Sequence, residues 1–333
     1  MNFAINGTCS KGCSFCFTTE DARIRHTLGD MTIEQLDLYL STYGFYEHKS
    51  PVHILGGEPT QHPNFKGLMD FIISKGLKIN LISNLLYGQK TSDYITTNIK
   101  HFGWILPNSA ELDRLNRIKI WKKNYLALYQ AFANNQGFEN SPRLYLAFTL
   151  SSDYKEAKIY EYIKWLIQQA DGKVNAIRLG LDLTGTYLIN NKDIGKEIVK
   201  IIKFCTINGI QVKSDCQIPP CLWEGKTKSA VLANSLNYAT FKEKDFDTVC
   251  GHMPMDVFPD GSSIHCYPLQ HKVKIPSILD IQGQDKIEAL YGVYDDLYKK
   301  NHKNYKMPQD CLDCVFYSTL CNGICGGCLE GDE

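Results

Sequence analysis

No stretch of this chain approaches the ~20 consecutive apolar residues that a bilayer-crossing helix requires. The opening segment, MNFAINGTCS, lacks the charged head and long apolar run of a signal peptide. These absences argue against a membrane or exported protein, and a cytoplasmic location is the expectation. Net charge is missing as well, because 36 Lys and Arg balance 36 Asp and Glu. Without a basic surplus there is no general attraction to a phosphate backbone, so a nucleic-acid partner is not expected. Low-complexity tracts are absent, and no repeat is seen beyond an alternation of strand-like and helix-like segments. A hydrophobic fraction of 44% supplies enough apolar surface for a packed core and argues against disorder.

What the chain has in excess is cysteine, thirteen in 333 residues. The cytosol keeps thiols reduced, so disulfides are a poor account of them. Some, including Cys205 and Cys221, fit ordinary buried cysteines. The clustered ones call for zinc or for iron and sulfur.

The first two thirds alternate short apolar runs with helical patterns. The runs NFAI (2–5), VHIL (52–55), LKINLIS (77–83), GWIL (103–106), LYLAFTL (144–150), AIRLGLDL (176–183) and IQVKS (210–214) read as buried strands. Thr32 and Gln35 form a capping box ahead of Ile33, Leu36, Leu40 and Tyr43, which lie at helical spacing. Ile159, Tyr162, Ile163, Leu166, Ile167 and Ala170 make one apolar helix face, and residues 110–133 read as another long helix. Strand and helix alternating in this way imply parallel strands joined by right-handed crossovers, hence an α/β barrel or open sheet. After about residue 215 the alternation stops. The remainder is rich in Cys, Gly and Pro, with helical periodicity only near 284–300, and metal ligation is a plausible staple for it. The expected division is therefore 1–215 and 216–333.

Directly after the first strand, CSKGCSFC places Cys9, Cys13 and Cys16 in a C-x3-C-x2-C spacing. A structural zinc wants four ligands, and no His lies close by to complete the set. Three cysteines on a 4Fe–4S cluster leave one iron open for another ligand. A loop at this place sits at the C-terminal mouth of the sheet, where such folds bind ligands. The strand VHIL runs into GGEPT (56–60): the glycines permit close backbone approach, Glu58 offers a carboxylate to a cation, and Pro59 fixes the turn. Taken alone, GGEP also fits an ordinary strand-end turn with a solvated Glu.

Together, Cys9, Cys13, Phe15 and Cys16 followed by Gly56, Gly57, Glu58 and Pro59 resemble the radical S-adenosylmethionine (radical SAM) superfamily. The resemblance implies a partial (β/α)6 TIM-like barrel. It implies a 4Fe–4S cluster on the three cysteines, whose open iron is chelated by the amino and carboxylate groups of S-adenosylmethionine. GGEP then holds that amino group. One electron from the cluster breaks the sulfonium C–S bond, and a 5′-deoxyadenosyl radical abstracts hydrogen from substrate. Ser83 and Asn84 stand where the family places ribose-binding groups. Thr149, Ser151 and Arg178 occupy related strand positions, and all five fit strand-end caps as well.

Near the C-terminus come Cys250, then Gly261 and Cys266, then CLDCVFYSTLCNGICGGC, which carries Cys311, Cys314, Cys321, Cys325 and Cys328. The segment VFPDGSSIHCYP reads as a hairpin with Asp260 and Gly261 in its turn. The C-x2-C pairs alone suit a zinc ribbon equally. In context the tail resembles the SPASM extension of radical SAM enzymes. The resemblance implies two auxiliary 4Fe–4S clusters, making three in all. Cys250, Cys266 and Cys325 would hold one, and Cys311, Cys314, Cys321 and Cys328 the other. Two spacings depart from that pattern: six residues separate Cys314 from Cys321, and only two separate Cys325 from Cys328. The last two are therefore interchangeable in the assignment. A fourth ligand for the first auxiliary cluster is Cys216, with Cys221 or an open iron as alternatives.

SPASM enzymes most often modify ribosomally made peptides by cross-linking, epimerisation or oxidation, and the number of tail cysteines points the same way. A radical SAM dehydrogenase of a small molecule such as a sugar or aminoglycoside is the alternative. A non-catalytic iron–sulfur electron carrier and a zinc-stapled binder lie outside that class. The expected partners are a peptide substrate and an external reductant such as flavodoxin or ferredoxin. Because the first strand begins at residue 2, no leader-recognition domain is expected ahead of it, and a leader would be read by a separate protein, by the tail, or not at all. Tyr267 stands where the sulfatase-maturing subfamily has a catalytic Asp, which argues against that activity. Tyr187, Asp182, His265 and Tyr267 carry groups that could steer a radical, but nothing in the sequence assigns acid–base roles.

Overall fold

The structure is a computed structural model that describes residues 1–13, 16, 29–113, 116–135, 143–150, 159–181, 192–214, 256–264, 277–281, 292 and 313. Strands β1 (Asn2–Ala4), β2 (Val52–Leu55), β3 (Ile79–Ser83), β4 (Phe102–Pro107), β5 (Tyr145–Leu150), β6 (Ala176–Leu181) and β7 (Gln211–Ser214) fall on the seven apolar runs. Two short strands follow, β8 (Asp256–Val257) and β9 (Ser263–Ile264). The helices are α1 (Ile33–Thr42), α2 (Phe45–His48), α3 (Phe65–Ser74), α4 (Gln89–Thr97), α5 (Ile118–Asn135), α6 (Ile159–Gln169) and α7 (Lys192–Ile207). Among the described residues, no helix is long and apolar enough to cross a membrane.

The chain divides into two compact units, Met1–Leu146 with Pro254–Tyr298, and Ala147–Met253 with Lys299–Glu333. The boundary expected at 215/216 lies outside the described residues. In the first unit a six-stranded sheet runs in the order β4-β3-β2-β1-β8-β9. Strands β1 to β4 pair in parallel, each connection carrying at least one helix, as the sequence alternation requires. Phe3, Val52, Ile54, Ile79, Leu81 and Phe102 are fully buried and form the centre of this core. A second sheet runs in the order β5-β6-β7, and its parallel strands β6 and β7 belong to the second unit. There α6 buries Ile159, Ile163, Leu166 and Ile167, and Tyr160 meets Phe204 of α7 edge-on at 5.8 Å. Cys205 of α7 is fully buried, and burial pushes its thiol up to about 12.

The capping box is present: Gln35 N–H donates to Thr32 Oγ1 at 3.2 Å, and Thr32 N–H donates to Gln35 Oε1 at 2.7 Å. The same Gln35 side chain donates through Nε2 to Pro259 O at 2.9 Å, and buried Tyr39 donates its hydroxyl to that carbonyl at 2.8 Å. One residue thus caps α1 and docks the hairpin turn onto it. That hairpin forms as read, with Asp256 opposite Ile264 and Gly261 at φ 77° in the turn. β8 adds in parallel to the free edge of β1, placing Asp256 beside Asn2.

The long helix expected over 110–133 begins later, at Ile118. Glu111 and Asn116 adopt positive φ, 54° and 49°, which a right-handed helix cannot accommodate, so residues 110–113 form a turn. From Ile118 onward, Trp121, Tyr125, Leu128 and Phe132 supply the buried face, with Trp121 and Tyr125 stacked at 4.9 Å.

Pairing of β1 with β2 continues past both strand ends. Ile5 N–H donates to Leu55 O, Gly57 N–H to Asn6 O and Glu58 N–H to Thr8 O, at 2.9, 2.8 and 2.7 Å. The two backbones lie so close that a Cβ on Gly56 would fall 2.6 Å from Asn6 O, and one on Gly57 2.5 Å from Gly7 O. Here the glycines admit the chain's own backbone. A Gly57→Ala variant is expected to lose about 1–3 kcal/mol of unfolding free energy through overpacking. Gly88→Ser, in open space at the start of α4, should change it by only a few tenths of a kcal/mol. Denaturant titration of the two variants checks this pair. His62, just beyond, is buried; its Nε2 lies 3.1 Å from Met31 O, and its Nδ1 accepts from Asn64 N–H at 3.0 Å. Burial holds its pKa below the ordinary histidine value, so the unfolded chain binds the proton more readily. Its contribution to stability is present above about pH 6.5 and is lost as pH falls through the folded pKa. Unfolding temperatures measured against pH should show a shallower acid slope for His62→Gln.

Candidate active site

The C-terminal ends of four adjacent strands converge in the first unit: Asn6 follows β1, Glu58 follows β2, Ser83 and Asn84 close β3, and Asn108 follows β4. Glu58, a carboxylate, is only 2% exposed. Its Oε1 accepts from the hydroxyls of Thr60 and Ser83, at 2.6 and 2.8 Å, and from Thr60 N–H at 3.2 Å. Its Oε2 accepts from Asn84 N–H at 2.7 Å. Burial raises the carboxyl above its ordinary pKa, and these donors pull in the opposite direction. The local sequence explains the pose. Pro59 opens a 3₁₀ turn, Pro59–Gln61, and Glu58 is its N-cap, so the carboxylate meets an N–H that the turn leaves free.

The segment after β3 is equally constrained. Leu85 takes φ 57° and is fully buried, and its N–H donates to Ser83 Oγ at 3.1 Å. Asn84 Oδ1 accepts from Leu86 N–H at 2.8 Å. From α5, buried Asn124 donates to both Leu85 O and Tyr87 O, at 2.8 and 2.9 Å. Ser83 and Asn84 are therefore rigid groups facing Glu58, with Asn84 Nδ2 left to point 3.7 Å from Cys9 Sγ.

The cysteine loop lies over these strand ends. Gly12 at φ 59° turns it, and Cys16 N–H donates to Cys13 O at 3.2 Å. Gln61 Nε2 donates to Ser10 Oγ at 2.6 Å, pinning one side. Lys11 pins the other: although a lysine, it is only 3% exposed, and its Nζ donates to Asn108 O at 2.8 Å and to Asn108 Oδ1 at 3.2 Å. Burial pulls this ammonium below the ordinary lysine value, and the charges of Cys13, Cys9, Glu58 and Glu111 push it back up. Cys9 is exposed, and Cys13 and Cys16 are half-buried. Burial raises Cys9 and pushes Cys13 up to about 11, with Lys11 opposing the latter. Among the described residues, no three His, Cys, Asp or Glu side chains stand close enough together to hold a metal as they are. The donor set nevertheless suits iron and sulfur: three soft sulfurs on one anchored loop, each within electrostatic reach of the others.

Of the expected site residues, Cys9, Cys13, Gly56, Gly57, Glu58, Pro59, Ser83 and Asn84 come together here, with Cys16 on the same loop. Thr149 ends β5 and Arg178 lies on β6. Phe15, Ser151, Cys216, Cys221, Cys250, Cys266, Cys311, Cys314, Cys321, Cys325 and Cys328 lie outside the described residues, as do Asp182, Tyr187, His265 and Tyr267. Sequence reasoning missed Lys11, Asn6, Thr60, Asn108 and Asn124. Thr60 carried a signal, a hydroxyl two residues beyond an acidic cap; the others act across long sequence separations that no local pattern marks.

No protein-family model matches the sequence, and no curated protein aligns with it. Solved structures do share its fold. SuiB of Streptococcus suis bound to S-adenosylmethionine superposes with a TM-score of 0.58 at 16% identity, covering 94% of this chain and 69% of that one. SuiB bound to precursor peptide SuiA gives 0.60 at 15% identity, over 94% and 68%. The protein anSMEcpe with bound AdoMet, which is S-adenosylmethionine, gives 0.59 at 17% identity, over 99% and 90%. At such identities the likeness is one of fold, and it agrees with the radical SAM resemblance carried by the cysteine loop and the GGEP segment. The chain thus has an α/β fold with a parallel sheet, shared with proteins whose solved structures hold S-adenosylmethionine.

Proposed function

We propose that this chain is a radical SAM enzyme that modifies a peptide. The observation that carries the reading is the placement of the three-cysteine loop, fastened over the buried Glu58 at the mouth of four adjacent strands. Cys9, Cys13 and Cys16 would hold a 4Fe–4S cluster. When bound, that cluster supplies the electron that opens the sulfonium C–S bond of S-adenosylmethionine, yielding the radical that takes hydrogen from substrate.

The protein's own part is to orient the cosubstrate and keep water out. Gly56, Gly57 and Pro59 hold the backbone of the GGEP turn against the cysteine loop, so that turn can receive an amino group beside the thiols. Glu58 fixes the turn to Ser83 and Asn84 and keeps a negative charge beneath it. Ser83 and Asn84 are assigned to the ribose side, and Phe15 to cosubstrate binding. The tail cysteines are assigned to two auxiliary clusters, Cys250, Cys266 and Cys325 with Cys216, and Cys311, Cys314, Cys321 and Cys328. A peptide substrate is supported by the shared fold of SuiB, which has been crystallised with its precursor peptide SuiA. A low-potential reductant is the partner this reading requires, and a separate leader-recognition protein is a candidate second one. The division into a barrel over 1–215 and a cluster-bearing tail over 216–333, in a cytoplasmic oxidoreductase, belongs to the same reading.

The test is anaerobic reconstitution followed by S-adenosylmethionine and a strong reductant, with 5′-deoxyadenosine quantified. Wild type should carry about twelve irons per chain, the sum for three 4Fe–4S clusters, and should form 5′-deoxyadenosine. A variant with Cys9, Cys13 and Cys16 all changed to Ala should form none. A fully iron-loaded wild type that makes no product, with or without candidate peptides, would leave an electron carrier as the better account; zinc in place of iron would favour a binding protein.

A further inference from the structure

Lys11 is the one charged residue enclosed within the C-x3-C spacer, and its placement is not what a spacer lysine should have. Long cationic side chains normally bury the stem and keep the head in water, and they are seldom fully buried unless paired. Here the head itself is inside. Its hydrogen bonds among the described residues go to the neutral carbonyl and side-chain oxygens of Asn108. Lys11 stands two residues from Cys9 and two from Cys13, on the loop that covers the buried Glu58. A buried ammonium bonded only to neutral oxygens is costly, and an anion seated on Cys9 and Cys13 would relieve that cost.

We propose that Lys11 is a positioning residue that fastens the cysteine loop to the end of β4 and, through its buried positive charge, makes an iron–sulfur cluster on Cys9, Cys13 and Cys16 easier to reduce. This rests on the reading that those cysteines hold such a cluster. The reasoning is electrostatic. Accepting one electron makes a cluster more negative, so a fixed cation in a poorly screened site stabilises the reduced form over the oxidised one. Charge and burial near a cluster are among the factors that set its potential. Asn108 keeps the head in place without neutralising it, which a carboxylate would do. A purely structural lysine would need only its stem, and methionine reproduces that stem closely.

The experiment is an anaerobic redox titration followed by electron paramagnetic resonance, on full-length wild type, Lys11→Met and Lys11→Arg. Subtracting the spectra of the variant with Cys9, Cys13 and Cys16 changed to Ala isolates the signal of the loop cluster. Lys11→Met should reduce with an equilibrium constant roughly tenfold smaller, a midpoint lower by about 59 mV for one electron. Lys11→Arg, which keeps the charge, should stay close to wild type. Should the methionine variant fail to load iron, Lys11→Gln provides the neutral comparison. An unchanged midpoint in the neutral variant, or equal shifts in the neutral and arginine variants, overturns the role given to the charge while leaving the proposed function intact. A wild type with no signal dependent on the three cysteines overturns the proposed function and this inference together.

Discussion

Taking the Glu58 carboxylate out of water obliges the protein to surround it with donors, because a buried charge without partners would cost several kcal/mol. The donors come from two places, the turn that Pro59 opens and the end of β3. That requirement ties the ends of β2 and β3 together beyond their ladder. The end of β1 is bound by a second constraint, the contact of Gly56 and Gly57 with the backbone of Asn6 to Thr8. Because Cys9 follows that backbone directly, the position of the first thiol is fixed relative to the carboxylate by short chain segments. Asn84 completes the link by reaching both Glu58 and Cys9.

Charge explains why this arrangement suits one kind of chemistry. Glu58 and Glu111 are buried carboxylates at this mouth, and Lys11 is the buried cation beside them. Such a pocket favours a ligand that brings positive charge, as a cationic cosubstrate does, and it disfavours phosphates. The fold alone would not have said this, since α/β sheets of this kind host many reactions. The inference lives in the site.

Much of the fold was legible in the sequence because strand, cap and turn signals act locally. The seven apolar runs match β1 to β7 to within two residues, the Thr32–Gln35 box caps α1, and Asp260–Gly261 turns the last hairpin. The helix start at 118 was misjudged because apolar spacing near 110 looked helical, while the positive φ at Glu111 and Asn116 depends on packing that spacing does not reveal. At the site, the cysteines and GGEP were visible because they are contiguous motifs. Lys11 was not, because a lysine in a loop is ordinarily solvated and its partner lies 97 residues away. The Gly56 and Gly57 reading changed for a related reason: sequence suggested room for a ligand, and the space is taken by the chain's own loop.

The central claim is that the cysteine loop and the GGEP turn present one cosubstrate to one cluster. It is tested most directly by electron–nuclear double resonance on the reduced, reconstituted protein with S-adenosylmethionine carrying ¹⁵N in its amino group and ¹⁷O in its carboxylate. The account predicts hyperfine coupling from both labels, abolished when Cys9, Cys13 and Cys16 are changed to Ala. A reduced cluster that depends on those cysteines and shows no coupling to either label, at saturating S-adenosylmethionine, would contradict it.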